Sequence, residues 1–110
     1  VRLPCLVGPL KALSMIVSGT PIGAAEALAA GLIDAVFDGA LTAQAVRFAS
    51  EMAGKGGPFT PVRERDGRLD RAELPAFDRQ AAELAQKARG LEAPIACTQS
   101  VRNAIALPFE

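Results

Sequence analysis

Carboxylates are the main chemical resource of this chain: it has 12 of them and no histidine. Without an imidazole, Ser-His and Cys-His nucleophile activation are unavailable. The commonest zinc ligand is missing too, and two isolated cysteines cannot make a tetrahedral site. Cys5 and Cys97 lie far apart and form no Cys-x-x-Cys pair. They read as small core residues of a reduced, cytoplasmic chain rather than as a disulfide framework. Neither glycine-rich phosphate-loop pattern occurs. Gly54-Lys55-Gly56-Gly57 is the nearest approach, but it lacks a strand before it and reads as a linker. Glu26 is the one carboxylate in a specific position, three residues after Gly23. There it can reach back to the N–H of a helix cap and face the positive end of the helix, so its expected role is capping. Glu64, Asp66, Asp70 and Glu73 interleave with Arg63, Arg65, Arg68 and Arg71. Such alternation marks a solvated face with weak ion pairs, the acids cancelling most of the field a phosphate would need. No residue is assigned a catalytic, cofactor-binding or metal-binding role.

The elements that would carry these residues follow from composition and breakers. The 110 residues suffice for one domain, and half are hydrophobic, yet the only aromatics are five phenylalanines. A core of Ala, Leu, Val and Ile suits closely packed helices. Twelve basic residues balance the twelve acidic ones. A formal net charge of zero gives no field to draw nucleic acid or an anionic membrane. No apolar stretch approaches the roughly 20 residues that span a bilayer. The N-terminus lacks the features of a signal peptide. It also lacks an initiator Met, so a trimmed or truncated chain is expected.

Leu6, Leu10, Leu13 and Val17 recur at helical spacing, interrupted by Gly8-Pro9. The pattern predicts a short turn over Leu3–Val7 and a helix opening at Pro9. Gly19 ends it in the left-handed region, and Pro21 prevents continuation. A helix near Ala24–Ala30 starts at Gly23 and stops at Gly31, with Leu32 able to fold back on it. Leu32–Phe37 is short and rich in β-branched or aromatic residues and predicts a strand closed by Asp38-Gly39. Leu41, Ala45, Phe48 and Met52 mark one face of a further helix ending at Gly54. The breaker-rich stretch Gly54–Pro61 is a loop, and Val62–Arg71 a charged, aperiodic segment with a turn at Asp66-Gly67. A helix over Leu74–Arg89 buries Phe77, Ala81, Leu84 and Ala88. Another begins near Pro94, with Cys97, Val101, Ala104 and Ile105 on one side, and Leu107-Pro108-Phe109 stops it. The expected fold is mainly α with one or two short strands. It divides into residues 1–53, a linker and charged insertion over 54–73, and a helical pair over 74–110.

A family likeness rests on Arg2-Leu3-Pro4, Leu6-Val7-Gly8, Ala12-Leu13 and the whole Ser18–Val36 run. Gly19, Pro21, Ile22, Ala24, Glu26, Ala27, Gly31 and Leu32 all fit the pattern, while Gly23 departs where a capping Ser is common. Residues 1–53 thus resemble the enoyl-CoA hydratase/isomerase (crotonase) family, in the C-terminal part of its α/β domain. The Val62–Asp70 insertion, Lys87–Pro94 and the closing Leu107-Pro108-Phe109-Glu110 resemble one branch. That branch is the hydratase region of multifunctional β-oxidation enzymes, in which a 3-hydroxyacyl-CoA dehydrogenase follows on the same polypeptide.

The resemblance implies hydration of a 2-enoyl-CoA thioester, sometimes with double-bond isomerisation. In the family two glutamates handle the water and two backbone N–H groups bind the thioester oxyanion. All four precede the position of Val1, which stands where the family has Gln after Gly-Gly-Thr, so no catalytic residue carries over. No CoA contact carries over either, because the chain stops before the last family helices. The expectation is an inactive piece with no cofactor of its own, whose parent takes acyl-CoA, and NAD only if a dehydrogenase follows. Its implied partner is an upstream crotonase core; without it an exposed apolar face should drive self-association. Two readings of other classes compete. Ala24–Val36 resembles, more distantly, the peripheral-subunit-binding domains of 2-oxoacid dehydrogenase complexes, a non-catalytic interaction module. A helix-turn-helix DNA reader would find its glycine turn but no basic recognition face.

Overall fold

Proline and glycine set the boundaries of the first three helices. The computed structural model describes residues 2–65, 67–88 and 90–108. The first helix, α1 (Leu3–Val7), breaks at Gly8, and α2 (Pro9–Ser18) opens with Pro9 in its first turn, where no intrahelical N–H is needed. Gly19 caps α2 at φ 63°, and its N–H donates to the Met15 carbonyl. The third helix, α3 (Ala24–Ala29), starts from an extended Gly23. It ends in paired bonds, Leu32 N–H to Ala27 O at 2.9 Å and Gly31 N–H to Leu28 O at 3.0 Å. This is the Schellman arrangement, and it requires the positive φ of 76° found at Gly31.

The chain after Leu32 departs from expectation. The strand predicted over Leu32–Phe37 is absent, and no strand occurs among the described residues. A strand is defined by a ladder to a neighbour, and no such ladder forms among the described residues. Among the described residues, none of the backbone hydrogen bonds outside the helices involves residues 33–37. The fourth helix, α4, runs over Leu41–Lys55, passing through Gly54 to stop at Gly56 with φ 67°. One glycine within a helix costs only about 1 kcal/mol, so the stop falls where a left-handed residue follows. Short 3₁₀ turns occupy Val62–Glu64 and Arg71–Glu73, the second capped by the Asp70 carboxylate accepting from Ala72 N–H at 2.8 Å. The predicted Asp66-Gly67 turn rests partly on a residue outside the described set, and Gly67 itself is in a turn.

The fifth helix, α5 (Leu74–Lys87), carries Pro75 in its first turn; the predicted last residue, Arg89, lies outside the described residues. The sixth, α6 (Glu92–Ala106), starts two residues before the predicted Pro94, because Pro94 fits within a first turn. It gives way at Leu107-Pro108, while Phe109 and Glu110 lie outside the described residues.

The core joins the two ends of the chain. Leu13 of α2, Phe77 of α5 and Val101 of α6 are fully buried, and Ile105 of α6 is nearly so. Leu10, Ile16, Val17, Leu74, Ala81 and Leu84 pack around them. A buried side chain of this kind contributes roughly 1.5–3 kcal/mol, so Leu13 and Phe77 anchor helices far apart in sequence. The Gln80 side-chain amide donates to the Leu10 carbonyl at 3.3 Å across the same junction. On the outside, Arg102 Nε donates to Asp78 Oδ1 at 2.9 Å, tying α6 to α5.

α4 takes no part in this core. None of its residues is buried, and it makes no extensive contact with another helix. The resulting body measures 47 × 31 × 20 Å with a radius of gyration of 16.6 Å. A compact chain of this length would have a radius of about 13 Å.

Candidate functional site

Among the described residues no three carboxylates converge. Glu26 was expected to cap α3, but its oxygen receives Lys11 Nζ from α2 instead. A formal charge half-exposed nearby outcompetes a neutral N–H, and the Gly19–Pro21 bend brings α2 alongside α3. Around the pair lies an open groove of about 390 Å³, lined by residues that include Ser14, Ser18, Thr20 and Ile22. Among the described residues no group of three or more Cys, Asp or Glu side chains is positioned to hold a metal. Cys5 and Cys97 are both partly buried and neither is in a disulfide.

The charged insertion does something other than form a solvated lattice of ion pairs. Its single ion pair among the described residues is Arg63 Nε to Glu64 Oε1 at 3.8 Å. Two other arginines reach helix ends instead. Arg68 Nη1 donates to the Ala30 carbonyl beyond α3 at 2.6 Å, and Arg71 Nη2 to the Ala106 carbonyl of α6 at 3.1 Å. The last carbonyls of a helix have no partner within it and carry partial negative charge, so a guanidinium satisfies both needs. Nothing in the alternating pattern signalled these roles, since each partner is more than thirty residues away in the chain.

The largest unfinished feature is apolar. Leu41 and Val46 of α4 are each 62% exposed, and Val36 before it is 44% exposed. Phe37 lies against the helix, its ring edge-on to Phe48 with centroids 6.0 Å apart. The chain exposes 7667 Å² in all, whereas a compact monomer of 11.4 kDa exposes about 5,800 Å². The excess of roughly 1,900 Å² is what one partner in a large, permanent interface contributes. The 33–37 segment leads into it, with no backbone–backbone hydrogen bond to another described residue. Chemically this surface can bury apolar area and accept main-chain pairing, and it offers no acid, base or nucleophile in a reactive arrangement.

Known proteins resemble the chain across almost its whole length. A peroxisomal bifunctional enzyme of Danio rerio is 36% identical over 115 residues, covering 98% of this chain and 15% of the relative. One from Cavia porcellus is 34% identical over 112 residues, again 98% of the chain and 15% of the relative. The peroxisomal fatty acid beta-oxidation multifunctional protein MFP2 of Arabidopsis thaliana is 32% identical over 109 residues, 94% of the chain and 15% of the relative. The likeness therefore extends through the charged insertion to the C-terminal helices. The chain spans about 15% of the length of these curated relatives. No protein-family model matches it, and no solved structure gives a significant match. The chain is homologous to a segment of the multifunctional enzymes of fatty-acid β-oxidation.

Proposed function

We propose that this chain is the helical C-terminal part of a crotonase-type hydratase region within a multifunctional β-oxidation enzyme. It covers and supports an active site for 2-enoyl-CoA thioesters whose glutamates and oxyanion-binding N–H groups lie upstream. The observation that carries this reading is the coincidence of whole-length homology with a total exposed area above that of a compact chain and with Val36, Leu41 and Val46 left exposed. A layer shaped for a neighbour leaves such a surface when described alone.

The missing strand fits the same reading. Residues 33–37 are strand-like in composition and have no ladder partner among the described residues. A sheet edge in the upstream core would supply one, and α4 would then close over it with Leu41, Phe48 and Met52 facing inward. Under this proposal the chain holds no cofactor of its own. The assembled enzyme takes acyl-CoA, and NAD where a dehydrogenase region follows. Its compartment is a reducing one, the cytoplasm or, as in the names of the relatives, the peroxisome.

The test is complementation. The chain alone should not hydrate crotonyl-CoA, and it should bind a hydrophobic dye and self-associate. Joined to an upstream crotonase segment that carries the Gly-Gly-Thr and a glutamate-bearing helix, it should restore hydratase turnover and lose dye binding. A chain that stays monomeric, leaves the dye dark and fails to complement would overturn the reading.

A further inference from the structure

Residues 68–73 bridge two helix ends that are remote in the sequence. Arg68 Nη1 donates to the Ala30 carbonyl, 38 residues before it, and Arg71 Nη2 to the Ala106 carbonyl, 35 residues after it. We propose that these residues form a two-point clamp, by which the end of α3 and the end of α6 are held, and released, as one unit. This device does not depend on the covering role proposed above.

Little else holds α3. It has six residues, of which Ala27 alone is buried. A helix of that length is not stable by itself in water, and α3 makes no extensive contact with another helix. Lys11 tethers its first turn through Glu26, and both of those side chains are partly exposed. Its last turn rests on the Schellman bonds and on Arg68, whose guanidinium lies over Gly31.

The other side of the clamp is rooted in the core. Asp70 accepts from Ala72 N–H and opens the 3₁₀ turn over Arg71–Glu73. That turn runs directly into α5, where Leu74 packs on the buried cluster. Arg71 therefore leaves from a fixed point and reaches the last residue of α6, one position past the nearly buried Ile105. Leu69, between the two arginines, is half-buried, so the stretch joining the anchors lies against the molecule.

Both arginines are exposed, so each hydrogen bond taken alone competes with water and contributes little net. Two anchors on one short segment act differently. With Arg71 seated, Arg68 stays near the Ala30 carbonyl at a high effective concentration. With Arg71 released, the segment gains freedom, and the Arg68 contact must bear the whole cost of ordering it. Loss of either bond therefore weakens the other. Because residues 33–37 follow α3 closely, the clamp also lets the C-terminal helices set where that segment starts.

Amide hydrogen exchange followed by NMR on the full chain tests the clamp. The reporters are Gly31 and Leu32, whose N–H groups donate at the end of α3, and Leu107, which donates to the Asn103 carbonyl at the end of α6. Arg71→Ala should speed exchange about threefold or more at Leu107 and also at Gly31 and Leu32. Arg68→Ala should do the same at all three. The double variant should exchange less than about twofold faster than either single one, because one loss already opens the clamp. The Leu13 amide in the core should be unchanged, which shows that global unfolding is not what is read. Arg71→Gln repeats the measurement with the side-chain stem kept, and replaces the alanine variant if circular dichroism shows that one to have lost helix. Acceleration confined to the end each arginine touches, in both single variants, would identify two independent caps and overturn the clamp. No acceleration at any of the three amides would overturn it as well.

Discussion

The Arg68 guanidinium occupies the space that a side chain on Gly31 would need: its Nη2 lies 2.9 Å from where a Cβ would stand. The charged insertion and the end of α3 thus meet at the one residue that ends the helix in the left-handed region. Two costs would follow from Gly31→Ala, and they differ in size. The backbone at φ 76° is strained for any residue with a Cβ, about 1–2 kcal/mol. Arg68 is the flexible end of a long side chain and can yield for less. Gly31→Ala should therefore destabilise by about 1–2 kcal/mol in urea denaturation. Most of that loss should remain in an Arg68→Ala background. A loss that vanished there would place the cost on the clash instead.

Phe77 is fully buried and joins α5 to Leu13 of α2 and Val101 of α6. Phe77→Ala leaves a cavity between three helices, and such truncations cost about 3–5 kcal/mol. Against a typical total stability of roughly 5–15 kcal/mol, that should unfold much of the chain near body temperature. Ile95→Ala on the outer face of α6, where Ile95 is 62% exposed, should change stability by less than about 0.5 kcal/mol. Thermal melts followed at 222 nm compare the two.

α4 has no buried residue and makes no extensive contact with another helix. Its amides should therefore exchange with deuterium well before those of α2, α5 and α6, whose opening exposes the shared core. Leu41→Ser and Val46→Ser should reduce dye binding and self-association without lowering the melting temperature. Equal protection of α4 and α5 in the isolated chain would show that α4 is already packed.

The Arg102–Asp78 pair makes a prediction about pH. The hydrogen bond that Asp78 accepts from Arg102, and then its negative charge, raise the Arg102 pKa above its already high ordinary value. A group raised in this way contributes its stability in full below the unfolded-state value and loses it only as pH climbs through the folded-state value. Both lie far above neutrality, so the contribution is constant from about pH 6 to about pH 9, and no histidine is present to superimpose a slope there. Asp78→Asn should lower the melting temperature slightly and equally at both ends of that range. A difference growing with pH across it would contradict this assignment.

The sequence by itself determined the punctuation of the molecule and much of its inner face. Pro9, Gly19 and Gly31 act on groups within five residues, so the start of α2, its end and the Schellman closure of α3 were legible one at a time. Phe77, Val101 and Ile105 fell on the predicted buried faces because helical period alone selects them. What tertiary structure decided was every interaction that needs a distant partner. Lys11 took Glu26 away from its cap, and Arg68 and Arg71 left the surface lattice for helix ends. Leu32–Phe37 has the composition of a strand but found no neighbour to pair with. A helix closes its hydrogen bonds inside its own segment, so local sequence suffices to specify it. A strand, an ion pair and an apolar face are completed only by something else, and their form depends on whether that something is present.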